Sequence, residues 1–182
     1  MKILAMLVLA IAACGNAVAD APSLEDQLTA KRNAMLDELH AYWVRGEFPV
    51  NVYRDEMANI FRDGDGRLCA VANLIHASGH DELVDAQVKQ DNFIALRDLD
   101  RGPVMDWIAQ SGFTYEELVD LQGLGYQPID MNDIKLEVVQ PDTRIALERL
   151  QLQTRLSAAE QKMRANTKRS VTIAAARATL RR

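Results

Sequence analysis

Cys69, His76 and His80 are the side chains in this sequence best equipped for chemistry. A thiolate and two imidazoles at i, i+7 and i+11 would share one face of an unbroken helix and could offer zinc a soft and two borderline ligands. Cys69 also stands where a helix begins, a place that can lower a thiol's pKa, and a histidine brought against it would make a nucleophilic pair. The sequence limits both readings. Gly79 ends the helix before His80, no fourth ligand is evident, and no oxyanion-hole motif accompanies the cysteine. A free cysteine that packs as a small hydrophobe is the competing role.

Upstream, Asp63-x-Asp65-Gly66 has the opening of a calcium loop. Counted from Asp63, however, position five is Arg67 and position twelve is Leu74, where an EF-hand needs an oxygen ligand and a glutamate. The stretch is therefore a turn, with Asp and Gly in their usual turn roles. Acidic pairs such as Asp81-Glu82 and Glu116-Glu117 suit the first turns of helices. Gly123-x-Gly125 lacks the following helix and lysine of a phosphate loop, and no other cofactor motif is present.

The second chemical feature is electrostatic. Residues 1–142 carry 11 Lys+Arg against 24 Asp+Glu, whereas residues 143–182 carry 10 against two acids, Glu148 and Glu160. After Glu160 come Lys162, Arg164, Lys168, Arg169, Arg177, Arg181 and Arg182 with no acid between them. A basic helix with an apolar stripe can lie on an anionic membrane or envelope lipid, or dock on the chain's own acidic body. Nucleic acid would answer the same charge, but the export signal described below argues against it.

These residues must be carried by helices. Ser23 with Asp26 starts a helix over Leu24–Arg45, with Leu28, Met35, Leu39 and Tyr42 at helical spacing and Gly46 as its stop. Residues 47–59 read as a loop, and residues 60–68 as a tight turn or small hairpin. Cys69–Ala77 is a buried helix, Asp81–Gln90 another, and Pro103 opens a third that Gly112 ends. Thr114 and Glu117 form a capping box, with Phe113 and Leu118 as the hydrophobic staple, for a helix reaching about Gln122. Residues 123–141 hold two glycines and two prolines and read as a connector, with Ile134–Val139 as a candidate strand. From Asp142 onward there is no Gly or Pro, which predicts a long helix, about 60 Å if it is continuous. Its stripe, Ile145, Leu152, Leu156, Ala159, Met163, Ile173 and Leu180, is interrupted by Arg149, Asn166, Ser170 and Arg177. A helix that long needs the body, a second copy in a coiled coil, or a surface as its partner.

The N-terminus reads as an export signal. Lys2 precedes an apolar run from Ile3 to Ala13, shorter than the ~20 residues of a spanning helix. Ala17-Val18-Ala19 is a cleavage site that would leave Asp20 first, and Ile11-Ala12-Ala13-Cys14 is a lipobox that would acylate Cys14. Both imply a bacterial periplasmic or outer-envelope protein, soluble or lipid-anchored. With Cys14 removed or acylated, Cys69 is the one remaining thiol, so no internal disulfide holds the fold.

The run Phe61-x-Asp63-x-x-Gly66-x-x-Cys69-Ala70-Val71-Ala72-x-Leu74-Ile75 is followed by Ser78-Gly79, Asp91-Asn92, Trp107-Ile108 and Ser111-Gly112-x-Thr114-x-Glu116-Glu117. Across roughly residues 36–123 it resembles a group of uncharacterised exported bacterial proteins. The resemblance implies a compact envelope domain and brings no reaction with it.

The sequence thus predicts a mainly α protein: an export signal at 1–19, a helical body of about five helices at 20–122, a connector at 123–141 and a basic amphipathic helix at 142–182. The function it implies is binding or structural and non-enzymatic, with the basic helix facing an anionic surface or a second subunit. The alternative is a small metal-binding protein or enzyme centred on Cys69 and His76.

Overall fold

Hydrogen bonds local to each helix start define most of the elements. In the computed structural model, which describes residues 21–50, 59–123 and 141–180, Ser23 Oγ accepts from Asp26 N and the Asp26 carboxylate accepts from Ser23 N, both at 3.2 Å. This capping box opens helix α1, Leu24–Arg45, which Gly46 closes. Cys69 caps α2, Ala70–Ala77, with its sulfur accepting from Ala72 N. Helix α3 is Asp81–Gln90, a 3-10 turn covers Leu96–Asp98, and α4, Pro103–Ser111, has its proline in the first turn. The Thr114–Glu117 box is formed in both directions, at 2.9 and 3.2 Å, and opens α5, Tyr115–Gly123. Helices α6, Pro141–Ala165, and α7, Thr167–Leu180, complete the described chain. The fold is mainly α with a long C-terminal helical region.

The short, apolar α2 is the centre of packing. Val71, Ala72, Leu74 and Ile75 are wholly buried, in one core cluster with Leu36 and Leu39 of α1, Phe61, Leu96, and Leu118 and Leu121 of α5. Leu156 and Met163 of α6 join this same core. Each Val, Leu, Ile, Phe or Met among them contributes about 1.5–3 kcal/mol through burial. A smaller cluster joins Leu24 and Leu28 of α1 to Val171, Ala174 and Ala175 of α7. The C-terminal helices are therefore packed on the body through α1.

Two expectations change. The small hairpin is a single antiparallel bridge between Arg62 and Leu68. A second strand is not needed, because Asn92 serves the outer edge of Arg62: its Oδ1 accepts from Arg62 N at 2.9 Å and its Nδ2 donates to Arg62 O at 2.8 Å. Between the bridged residues, the Asp63 carboxylate accepts from the backbone N–H groups of Val50, Asp65 and Arg67 at 2.8–3.0 Å. Burial would raise the Asp63 carboxyl, but these donors and Arg67 outweigh it and hold it below the usual range.

The continuous C-terminal helix is broken at Asn166. Arg32 Nη2 donates to Met163 O at 2.6 Å, taking the carbonyl that a continuing helix would offer to residue 167. The Thr167 hydroxyl donates to Arg164 O at 2.9 Å and closes the break from the other side. The candidate strand at Ile134–Val139 and residues 51–58 of the expected loop lie outside the described residues.

Candidate functional site

Cys69, His76 and His80 are not brought to one point. The Cys69 thiol packs against the main core, and burial pushes it up to about 11, the opposite of an activated nucleophile. His76 is exposed and bonds Asp81 through Nδ1. His80, also exposed, places Nδ1 3.0 Å from Ser78 Oγ. Among the described residues no group of three His, Cys, Asp or Glu side chains is arranged to hold a metal ion. Ser78 and His80 do not make a nucleophilic pair either. The Ser78 hydroxyl donates to Ile75 O at 2.7 Å and accepts from Trp107 Nε1 at 2.9 Å, so its proton and a lone pair are already committed.

The basic residues fall into three sets. Lys162 pairs with Asp120 at 3.3 Å, Arg164 with Asp37 at 2.8 Å, and Arg177 with Glu116 at 3.1 Å, all between the C-terminal helices and the body. Lys168 and Arg169 are exposed, and no ion pair engages them among the described residues. Arg181, Arg182 and Cys14 lie outside the described residues. Among the described residues no helix is long and apolar enough to cross a membrane.

The acid at the centre of this interface is Glu160. It is buried, accepts from Trp43 Nε1 and Arg164 Nε at 2.7 Å each, and lies 3.1 Å from His40 Nδ1. Burial would raise its carboxyl, but the Trp43, Arg164 and His40 contacts outweigh that and lower it.

A deeper contact, at Arg32, was not anticipated from the sequence. Its guanidinium is completely buried in the same stripe as Leu28, Met35 and Leu39. Nη1 donates to Glu117 Oε2 at 2.9 Å and Gly112 O at 3.1 Å. Nη2 donates to Glu117 Oε1 at 2.7 Å and Met163 O at 2.6 Å, and Nε reaches Thr167 Oγ1 at 3.4 Å. All five donors have an acceptor, and the group lies 4.8 Å from the Phe113 ring centroid. Ser170 Oγ donates to the same carboxylate at 2.8 Å. One charge pair thus ties α1, the α4–α5 turn and the α6–α7 break together.

The concave surface of the body lies elsewhere. A cleft of about 750 Å³ opens between α1, the α2–α3 turn and α4. Ala34, Met35, Leu83 and Ala86 give it apolar lining, and Trp107 and Ser78 also line it. Lys31, Glu38, Glu82 and Asp106 supply its charged groups. Glu38 is held by Arg45 at 3.2 Å and by Asn73 Nδ2 at 3.1 Å. Of these residues the sequence pointed to Met35 as part of the apolar spacing of α1, to Glu82 as a helix-start acid, and to Ser78 and Trp107 only within the shared pattern. The signal for the rest was the i, i+3, i+4, i+7 spacing of Lys31, Ala34, Met35 and Glu38 on α1.

No family model matches the chain, and neither a curated protein nor a solved structure matches it.

Proposed function

We propose that this protein is an exported, non-enzymatic binding module of the bacterial envelope, and that its binding site is the cleft between α1, α3 and α4. The observation that carries the reading is the cleft itself: at about 750 Å³ it has the size of a small-ligand site, and it joins apolar lining to a few polar groups. The reading also rests on where the basic residues go. Lys162, Arg164 and Arg177 meet acids of the body, which gives the C-terminal helices the role of a clamp. A fragment screen read by amide chemical shifts tests the site. Binders should move the resonances of Lys31, Ala34, Leu83 and Ala86, and binders that cluster elsewhere would overturn it. Export is tested by the N-terminus of purified protein: Asp20 or an acylated Cys14 supports it, and a retained Met1 does not.

A second reading, an anionic surface contacted by α7, is favoured by Lys168 and Arg169, which are exposed and face no acid of the body. Flotation with anionic and neutral vesicles tests it, with Lys168→Glu/Arg169→Glu as the variant. Equal flotation of the variant removes it.

A further inference from the structure

We propose that two copies of this chain pair through the outer face of α6, antiparallel and about a two-fold axis near Leu156. The inner face of that helix is engaged by the body, where Leu152, Leu156, Ala159 and Met163 pack with the main core. At about 100° per residue the opposite face carries Leu147, Gln151, Thr154, Ala158, Gln161 and Ala165, and every one of them is exposed. Their spacing is four, three, four, three, four, the period of a helix-on-helix seam, and no charge falls among them. Lys162, at the edge of the face, is turned to Asp120 of the body. Leu147 is 50% exposed and Leu150, beside the seam, 59%, two of the four large apolar side chains left exposed among the described residues. The first turns also reach past the body: Gln153 Nε2 donates to Trp43 O at 2.9 Å, near the end of α1, and residues 146–151 are all exposed. The order of the seam residues points to a second copy as the occupant. Reversed on itself, the seam sets Leu147 against Ala165, Gln151 against Gln161 and Thr154 against Ala158 of the second copy. A large side chain meets a small one at each end, and the two amides can hydrogen-bond each other. The Thr154 hydroxyl already donates to Leu150 O at 2.9 Å, so covering it strands no proton. A parallel pair would instead set Leu147 on Leu147 and Ala165 on Ala165, crowding one end and leaving a gap at the other. Because the seam faces away from α1, the two bodies fall on opposite sides of the helix pair. The contact is about 27 Å long and one helix, about 10 Å, wide, at the low end of interface sizes, so the association is weak, with Kd about 10–100 µM.

The test is sedimentation equilibrium of the purified protein from about 5 to about 500 µM, with a monomer–dimer equilibrium in that range as the expected result. Ala158→Glu, a change at an exposed position, places two carboxylates close to the axis and should raise Kd at least about tenfold, its helicity being checked by circular dichroism. Thr172→Glu, on the exposed side of α7, is the control and should leave Kd unchanged. Direction is read by cross-linking in a chain that begins at Asp20 and carries Cys69→Ser, so that an introduced thiol is the only one. Leu147→Cys and Ala165→Cys proteins, oxidised as a mixture, should form the disulfide between positions 147 and 165 in excess over either symmetric one. A protein that stays monomeric at the highest concentration overturns the proposal. So does a dimer that Ala158→Glu leaves as tight as wild type, since the contact then lies on another face. Symmetric disulfides in excess overturn the antiparallel arrangement.

Discussion

Arg32 and Glu117 face each other as a fork on a fork, Nη1 to Oε2 at 2.9 Å and Nη2 to Oε1 at 2.7 Å, with the arginine wholly buried. A buried pair of this kind contributes little relative to well-packed apolar residues, yet losing one partner strands the other's charge. Its value is that its remaining donors reach Gly112 O, Met163 O and Thr167 Oγ1 and fix where three parts of the chain meet.

Replacing one partner is therefore expected to cost far more than replacing both. Arg32→Met should lower unfolding stability by about 3–5 kcal/mol, and Arg32→Met/Glu117→Met should recover about half of that or more. Urea unfolding of the two variants checks the difference, and equal losses would contradict the geometry.

Stability should also fall in acid. Burial opposes ionisation of Glu117 and Glu160, but the Arg32, Thr114 and Ser170 contacts of the first, and the Trp43, Arg164 and His40 contacts of the second, hold both below 4.5. A folded-state value below the unfolded one adds stability that is fully present above the unfolded pKa and is lost as pH falls through the folded pKa. The urea midpoint should hold between about pH 5 and 7 and drop steadily below about pH 4.5. Glu117→Gln, although less stable throughout, should show a shallower drop.

Two glycines with similar backbone angles should respond differently to alanine. Gly112 has φ +81, and an added Cβ would lie 2.5 Å from Leu28 O and 3.2 Å from Arg32 Cβ. Gly66 has φ +83 with nothing within 4 Å of the same position. Gly66→Ala should cost about 1–2 kcal/mol from the backbone alone. Gly112→Ala adds a backbone collision beside the Arg32 hub, so its loss should be at least about twice as large. Thermal unfolding of the pair checks the ranking.

The Cys69 thiol, pushed up to about 11 by burial, should be inert in the folded chain. A chain beginning at Asp20 has this one thiol. It should react with an aromatic disulfide reagent at pH 8 orders of magnitude more slowly in buffer than in denaturant. Cys69→Ser keeps a capping oxygen for Ala72 N and is expected to fold. Fast labelling of folded protein would return the cysteine to consideration as a reactive group.

The helix starts were legible because their information is local. Ser23 and Asp26 stand three residues apart, as do Thr114 and Glu117, and both boxes form as the sequence implies. Pro103 and Gly112 likewise mark the ends of α4 from their own backbone preferences. Arg32 was not legible. Its position in the apolar stripe says inward and its chemistry says outward, and only Glu117, 85 residues away, resolves the conflict. The same contact hid the break at Asn166, since a sequence free of Gly and Pro carries no sign that a distant guanidinium takes a carbonyl. The cleft needs three helices to exist, so its charges appeared in the sequence only as separate surface acids.

The bond from Arg32 to Met163 O spans 131 residues of sequence, and its neighbour Thr167 lies further on. During synthesis the body's helices emerge long before these acceptors do. A nascent chain shorter than Met163 must hold a cation in its interior with two acceptors missing, or leave that interior open. Closing the core around Arg32 therefore waits for acceptors at least 131 residues downstream of it.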